Sequence, residues 1–249
     1  MSTQRSWRDR AYGAYLTSGQ ARVSNDSRSP FASRQSYIEA LIHRYIPGDR
    51  ESTILDIGCG HGAFLYFLRK KGYTRARGVD VSAEQVALAK SLGIEDVAHA
   101  DNLQYLAKTE SGTVDFVLMF DVIEHLNRDE LFETLDEVYR VLRAGGRCLI
   151  HLPNGEGLFG MAVRYGDLTH EHCLTRTSAT QLLLTIGFSR VEAHEEKPVV
   201  HGVTSLIRRI IWELGTAWPR LLMAAETGDT GAILSRNLLI VAEKADNRN

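Results

Sequence analysis

One nine-residue stretch, 54–62, constrains the fold of this chain more than any other. A short apolar run over 54–57 is followed by Gly58, Gly60 and Gly62. The apolar run predicts a buried strand. The glycines allow the backbone to approach a ligand closely, because no Cβ lies in the way. An apolar helix start follows at once, so the stretch predicts a strand, a turn and a helix N-terminus that could cradle a nucleotide cofactor.

The length suffices for one large α/β domain or for one domain with an appendage. The 249 residues are 44% hydrophobic, and the formal net charge of −2 gives no global indication of a nucleic-acid partner. Three cysteines without a C-x-x-C pair argue against a disulfide framework or structural zinc and favour a reducing cytoplasm. The polar, basic start does not resemble a secretory signal, and no apolar run reaches membrane-spanning length, so a cytoplasmic protein is expected.

Strands and helices alternate along most of the sequence, which predicts a doubly wound, mostly parallel sheet. The predicted strands are 53–57, 76–81, 96–98, 114–120, 147–152, 190–193 and 238–243. The main predicted helices are 34–45, 63–71, one capped by Ser82, 128–143 ended by Gly145 and Gly146, 178–185, and 203–214 with a break near Pro219.

Four further motifs follow the glycines in order, at 78–82, 100–103, 115–125 and 141–146. Together with Asp56-x-Gly58-x-Gly60-x-Gly62, they resemble the motifs of class I S-adenosylmethionine-dependent methyltransferases. The resemblance covers residues 50–155 and implies S-adenosylmethionine as the cofactor, with S-adenosylhomocysteine as the product. It implies a seven-stranded, Rossmann-like α/β domain over 49–249, preceded by an N-terminal segment and cap helix over 1–48. Acceptor-side insertions are expected near 153–177 and 198–233, the second a helical insertion before the last strand.

The resemblance also implies which residues contact the cofactor. The turn at Gly58, Cys59 and Gly60 would approach its methionine end. Asp56 would anchor its ammonium or brace the turn, and Asp80, followed by Val81, would accept hydrogen bonds from both ribose hydroxyls.

At the other end of the cofactor, Asp101 would accept from the adenine amino group, cap the next helix, or do both. The backbone of Asn102 would serve the ring. Phe120 and Asp121 would lie at the carboxyl edge of the fourth strand, where α/β sheets bind ligands.

Two other interpretations of the glycine turn remain open. Gly58, Gly60 and Ala63 also fit the dinucleotide pattern G-x-G-x-x-A, which would make the chain a dehydrogenase. A cofactor-binding scaffold without catalysis is an alternative from another class.

Asp121, Glu124 and His125 form a D-x-x-E-H string, and they would share one face if a helix began at the end of the fourth strand. The string resembles the E-x-x-E-H metal motif of small-RNA terminal-ribose and ubiquinone-pathway O-methyltransferases, with Asp121 in place of the first Glu. These three residues are therefore candidate ligands of a divalent metal, although a metal-free site is favoured.

A histidine is the other candidate for removing a proton from an acceptor. His170 and His172 are the favoured general bases, and His125 is a further catalytic candidate. The segment Gly166-Asp167-x-Thr169-His170-x-His172 resembles methyltransferases associated with bacterial surface polysaccharides, which implies O-methylation of a sugar hydroxyl in a glycan or its precursor. O-methylation of a small aromatic or quinone precursor is the alternative.

Apolar residues are spread around much of the predicted helix at 203–214. This pattern favours burial, against the core or at a dimer contact. The alternatives are a lid or a peripheral membrane contact through 203–222.

Overall fold

The computed structural model describes residues 7–12 and 31–246. The strands are β1 Ile54–Ile57, β2 Ala76–Asp80, β3 Val97–His99, β4 Val114–Phe120, β5 Leu142–Pro153, β6 Arg190–Glu195 and β7 Asn237–Glu243. The α-helices are α1 Trp7–Tyr12, α2 Gln35–Tyr45, α3 Ala63–Lys70, α4 Ala83–Ser91, α5 Asn102–Lys108, α6 Arg128–Val141, α7 Gly160–Arg164, α8 Arg176–Ile186 and α9 Val203–Thr227.

The strands form a single seven-stranded sheet in the order β3-β2-β1-β4-β5-β7-β6. The pairs from β3 to β5 are parallel, whereas β7 runs antiparallel to both of its neighbours. This confirms the predicted doubly wound, mostly parallel α/β fold with a helix inserted before the last strand. The strand order reverses between β1 and β4, and such a switch point opens a crevice at the carboxyl edge of the sheet.

Apolar residues cover both faces of the central strands, as expected for a parallel sheet flanked by helices. One buried cluster joins the sheet to α6 and α8, and the other joins it to α2 and α3. All four residues of β1 are buried, including the carboxylate-bearing Asp56. The core therefore holds β1 and β4 rigidly beneath the crevice.

The predicted end of the helix at Gly145 and Gly146 is wrong. The helix ends at Val141, and both glycines lie within β5, where the pairing with β4 changes register. Their backbone groups bond the chain after β7: Gly145 donates to the carbonyl of Lys244, and Gly146 accepts from its N–H. Strand pairing, and not a helix cap, therefore accounts for the left-handed φ of +71° at Gly145.

The predicted break near Pro219 is also wrong, since α9 continues through it for 25 residues. A proline removes one backbone donor and leaves the carbonyl four residues earlier without its helical partner. That carbonyl belongs to Gly215, which is exposed, so water can satisfy it. The predicted burial of α9 is wrong as well, because its large apolar side chains point outward. In the described part of the chain, no helix is long and apolar enough to cross a membrane.

The predicted insertions at 153–177 and 198–233 contain α7 and α9, respectively. Asn154 joins the two segments, because its fully buried side chain donates to the carbonyls of Ile233 and Ser235, both at 2.8 Å. Both segments lie at the carboxyl edge of the sheet, where β5 and β6 end and β7 begins. Half of the predicted segment 1–48, namely 1–6 and 13–30, lies outside the described residues, and the other half contains α1 and α2.

Candidate active site

The turn between β1 and α3 requires its glycines. Gly58, Gly60 and Gly62 have φ of +64°, +54° and +83°, a backbone conformation that side chains with a Cβ rarely adopt. A Cβ at Gly58 would lie 2.5 Å from a methyl group of Val122. The turn thus brings β1 against the segment after β4 and leaves a cavity on its other side.

Asp80, the last residue of β2, holds this turn in place. One carboxylate oxygen accepts the N–H of Gly60 at 2.7 Å, and the other accepts the N–H of Ser82 at 2.8 Å. Burial raises the pKa of Asp80, although these two hydrogen bonds oppose the rise. Because a carboxylate has about four acceptor positions, two of them stay available for ligand hydroxyls.

Asp56 lies beneath the turn and is 2% exposed. Burial, and secondarily the charge of Asp80, raises the pKa of Asp56 to about 8. Its carboxyl group lines the cavity. A cationic group bound beside it would favour the ionised form.

A cavity of about 610 Å³ extends from this turn along the carboxyl ends of β1, β2 and β4. Every residue predicted to contact the cofactor lines it: Asp56, Gly58, Cys59, Gly60, Asp80, Val81, Asp101, Asn102, Phe120 and Asp121. The volume is in the range of small-molecule sites, ~300–1,000 Å³. The structure therefore brings the predicted set together, although the contacts themselves stay a prediction.

The far end of the cavity offers acceptors for a base. Asp101 caps α5 by accepting the N–H of Gln104 at 3.0 Å. The side-chain oxygen of Asn102 is buried and has no hydrogen-bond partner in the described structure. A buried acceptor without a partner costs free energy unless a ligand supplies a donor. The adenine amino group is a donor of this kind.

Asp121 does not join Glu124 and His125 on one helical face as predicted. Only a single 3-10 turn, Ile123–His125, follows β4, and Asp121 lies before it with a left-handed φ of +56°. This conformation directs the Asp121 carboxylate to Nδ1 of His151, 2.5 Å away. The predicted group of Asp121, Glu124 and His125 is therefore not formed, and Asp121 pairs with His151 instead.

His151, which sequence reasoning missed, is buried and forms a charged cluster with the half-exposed Asp121 and with Glu196. Burial acts to lower the pKa of His151, but the two carboxylates outweigh it and raise that pKa to about 10. The imidazolium in turn outweighs burial at Glu196 and lowers its pKa to about 2. Phe120 stacks on the His151 ring, with the ring centroids 4.8 Å apart. The only sequence feature that could have indicated a role for His151 is its position near the end of β5.

Glu124 and His125 instead meet His170. The candidate ligand atoms of these three side chains all lie within 4.8 Å of one another. Glu124 is 1% exposed, one of its oxygens has no hydrogen-bond partner in the described structure, and burial raises its pKa well above the usual value. His172 is not part of this group, and burial lowers the pKa of its imidazole. Of the three predicted catalytic histidines, His125 lines the cavity.

A short hydrogen-bonded chain orients the His125 ring. The Thr169 hydroxyl donates to Asp167 at 2.6 Å and lies 2.8 Å from Nδ1 of His125. Because that hydroxyl has one hydrogen, it accepts from Nδ1–H, which places the lone pair of the neutral ring on Nε2. Burial lowers the pKa of His125 to about 4, so the ring is neutral at pH 7. The spacing of Asp167 and Thr169, two positions apart, is the sequence feature that could have indicated these hydrogen bonds and was missed.

Arg8 of α1 closes one side of the cavity. Its guanidinium donates to Glu130 at 2.6 Å, to Glu171 at 3.1 Å and to the carbonyl of His125 at 3.2 Å. Arg34 lines the cavity as well. Neither arginine was predicted, because both lie far from the motifs in sequence.

The fold and the cavity define a class I methyltransferase-like protein, and comparison with known proteins agrees. A model of the family described as "Methyltransferase domain" matches residues 31–193. The chain therefore belongs to this methyltransferase family. This confirms the assignment to the class I S-adenosylmethionine-dependent methyltransferases, with S-adenosylmethionine as the cofactor.

Curated relatives match parts of the chain. Ajmaline N-methyltransferase of Rauvolfia serpentina is 34% identical over 124 residues, covering 45% of this chain and 40% of that protein. A probable fatty acid methyltransferase of Pseudomonas putida is 24% identical over 170 residues, covering 61% and 43%, respectively. The matched segments thus span about two fifths of each relative's length.

Solved structures share the fold. A methyltransferase of Archaeoglobus fulgidus described as SAM-dependent is 24% identical, has a TM-score of 0.62, and covers 84% of this chain and 94% of its own. Phosphoethanolamine N-methyltransferase 2 of Haemonchus contortus, in complex with S-adenosyl-L-methionine, is 18% identical with a TM-score of 0.62, and covers 94% and 60%.

The glycine turn makes a first prediction. Gly58→Ala should weaken S-adenosylhomocysteine binding at least about tenfold, or ~1.4 kcal/mol, because the new methyl group strains the backbone and contacts Val122. Isothermal titration calorimetry measures the change. Gly48→Ala is the control, since a Cβ there has no atom within 4 Å. Adding Val122→Ala should restore only part of the affinity; unchanged binding by Gly58→Ala alone would contradict the assignment.

Proposed function

We propose that this methyltransferase transfers a methyl group to a hydroxyl oxygen, and that the acceptor is a sugar in a glycan or polysaccharide precursor. The observation that carries the proposal is the His125–Thr169–Asp167 chain at the cavity. A neutral, oriented imidazole suits an acceptor that must lose a proton as it is methylated. The resemblance of segment 166–172 to polysaccharide-associated methyltransferases supports the sugar.

The cavity residues suit the cofactor. Asp56 would pair with its ammonium group, Asp80 would accept its ribose hydroxyls, and Asp101 with Asn102 would accept from its adenine amino group. This arrangement satisfies the unpartnered Asn102 oxygen and compensates the buried carboxyl of Asp56. The bound cofactor supplies an electrophilic methyl group on a sulfonium.

The remaining task of the protein is to handle the acceptor's proton. Nε2 of His125 would take it, while the bond from Nδ1–H to Thr169 fixes the ring orientation. Asp167, at the end of the chain, would stabilise the imidazolium that forms. Glu124 and His170 lie beside His125 but do not line the cavity, so they would act on the His125 ring and not on the acceptor.

The acceptors in the names of the curated relatives are those of the relatives and do not identify the acceptor of this chain. Two of them are N-methyltransferases of Rauvolfia serpentina, and a third is a probable fatty acid methyltransferase. A neutral amine acceptor needs no base, so the oriented His125 favours a hydroxyl over an amine. A phenolic hydroxyl of a small aromatic or quinone precursor would use the same chemistry and is the alternative substrate.

A divalent metal is the second candidate for activating the acceptor hydroxyl. Glu124, His125 and His170 offer one carboxylate and two imidazoles within 4.8 Å. Nδ1 of His170 donates to the carbonyl of Val163 at 3.1 Å, which turns its Nε2 toward Glu124, 4.0 Å away. Ring nitrogens of metal ligands are commonly oriented in this way. The unpartnered Glu124 oxygen is the specific observation in favour of a metal.

Cofactor affinity should depend on pH through Asp56. Below pH 8 its carboxyl is protonated in the free protein, so pairing with an ammonium first requires ionisation. The Kd of S-adenosylhomocysteine should therefore fall up to about tenfold per unit as pH rises from 6 to 8. The ligand's own amine, with a pKa of ~7.7–8.0, stays mostly protonated up to about pH 7 and is about half deprotonated at pH 8, so the rise in affinity should level off toward pH 8.

Asp56→Asn is the matched variant for this titration. It should bind more weakly than wild type at pH 8 and show no rise in affinity between pH 6 and 8. A wild-type Kd that is constant over the range would leave Asp56 only the role of bracing the turn.

Removal of the His125 imidazole should affect turnover and leave cofactor binding intact. His125→Ala should lower kcat by about 10²–10⁴-fold, with little change in the S-adenosylhomocysteine Kd. Thr169→Val should lower kcat less, because the base remains without its orienting partner. His43→Ala, exposed on α2, is the control. Methyl transfer is measured with sugars, catechol and primary amines; transfer to amines alone, unaffected by His125→Ala, would refute the proposal.

Chelation separates the metal from the histidine base. If a metal acts, dialysis against EDTA should abolish turnover and Mn²⁺ or Mg²⁺ should restore it. Electron paramagnetic resonance should then detect Mn²⁺ binding that Glu124→Gln weakens and that Glu130→Gln, on α6, does not. Full turnover after chelation, with no Mn²⁺ bound, would exclude the metal and leave the base.

A further inference from the structure

Helix α9 exposes a continuous apolar surface, here called the outer face. It consists of nine large side chains, each between 47% and 77% exposed: Val203, Leu206, Ile207, Ile210, Ile211, Leu214, Trp218, Leu221 and Leu222. At about 100° per residue, these side chains occupy an arc of about 160° that contains no charged residue. Within residues 7–12 and 31–246, no other element covers this arc.

The opposite side of α9, which faces the body of the protein, is mixed, with the half-buried Trp212 and Met223 beside polar residues. Ser205 and Thr216 are its buried residues. Glu213 receives Lys197 at 3.0 Å and Arg209 at 2.8 Å. Soluble amphipathic helices bury their apolar stripe and expose their polar one. α9 instead exposes its widest apolar stripe, so its outer face suits an apolar environment outside the chain.

Further toward the C-terminus, a second ion pair keeps α9 in this orientation. Arg220 binds the carboxylate of Glu195, the last residue of β6, with both distances at 2.6 Å. The helix is therefore held by charged contacts at Glu213 and at Arg220, two turns apart. Rotation that buried the outer face would break both contacts.

The extent of the outer face indicates a specific use. A helix of 25 residues is ~37 Å long, and the largest apolar patch on a typical monomer covers only ~300–600 Å². The outer face continues over most of that length. It is too extended to be incidental, and residues 13–30 are too polar in sequence to suit it as a covering segment.

We propose that the outer face of α9 lies on an anionic lipid bilayer. A second helix buries a narrow apolar seam, which would leave the edges of a 160° arc in water. A bilayer surface accepts the whole arc, with the helix lying in the plane of the interface. At one edge of the arc, the exposed Arg208 is offset by the exposed Glu226, which lies at the same angle. At the other edge, Glu213 and Glu195 pair with three cations, Lys197, Arg209 and Arg220. The two edges together therefore carry one excess positive charge, which is complementary to anionic headgroups.

A second exposed apolar segment lies at the same edge of the sheet. Around α7, Leu158, Phe159 and Leu168 are 45%, 65% and 88% exposed. The backbone of Leu158 donates to Leu234, which connects this segment to the chain that follows α9. Both apolar surfaces thus belong to segments inserted at the carboxyl edge of the sheet, the edge along which the cofactor cavity lies. Membrane attachment would hold that opening near lipids, whichever acceptor is methylated.

Vesicle flotation of the full chain tests the proposal without requiring turnover. The wild type should float with phosphatidylcholine vesicles that contain phosphatidylglycerol, and less with phosphatidylcholine alone. Leu214→Glu combined with Leu221→Glu should reduce the bound fraction about tenfold or more, because both side chains lie near the centre of the arc. Arg208→Glu should weaken binding only to the anionic vesicles.

Leu184→Glu is the matched control, since Leu184 is 51% exposed on α8; it should bind like wild type. Unchanged S-adenosylhomocysteine binding verifies that each variant is folded. As an independent measurement, brominated lipids should quench wild-type tryptophan fluorescence more than that of Trp218→Phe. Absence of flotation by the wild type, or equal flotation by the double variant, would overturn the proposal. So would a wild-type dimer that the double variant dissociates and that does not float.

Discussion

The two hydrogen bonds that Asp80 accepts hold together the segments that build the cofactor cavity. Buried backbone donors require acceptors, and here one carboxylate serves the glycine turn after β1 and the start of α4. The turn can then keep its left-handed glycines and press against Val122. The position of Asp56 beneath the turn, the course of α3 and the width of the cavity all depend on this bridge.

The same bridge places two buried carboxyl groups close together. Burial raises the pKa values of both, and the charge of Asp80 adds to the rise at Asp56. Such an arrangement is costly in an isolated protein and is relieved by a ligand that brings a positive charge and hydroxyl donors. Asp56 therefore suits the ammonium group of S-adenosylmethionine, and Asp80 suits its ribose hydroxyls.

Local sequence patterns predicted most of the fold. The bounds of β4 and the cap at Ser82 were correct, because an apolar run and a side-chain cap are short-range features. The set of cavity residues was implied by the motif resemblance, and the structure brings it together because the ends of parallel strands meet at one edge of the sheet. What the sequence could not supply were contacts between distant segments. His125 meets Thr169 across 44 positions, and Asp121 meets His151 across 30. The sequence of α9 showed that the helix is rich in apolar residues, but not that its wide apolar stripe would face away from the body.

The hydrogen bonds made by Arg8 extend the candidate active site beyond the segment that carries the sequence motifs. The family match begins at residue 31 and the motif resemblance near residue 50, yet Arg8 and Arg34 both contribute to the cavity wall. Arg8 also donates hydrogen bonds to the carbonyl of His125 and to the side chain of Glu171. A fragment trimmed to the motif-bearing region would retain every signature residue and lose part of the enclosure around them. Helix α1, which carries Arg8, is thus a structural component of the site, and a truncated chain that keeps the whole enclosure must include α1.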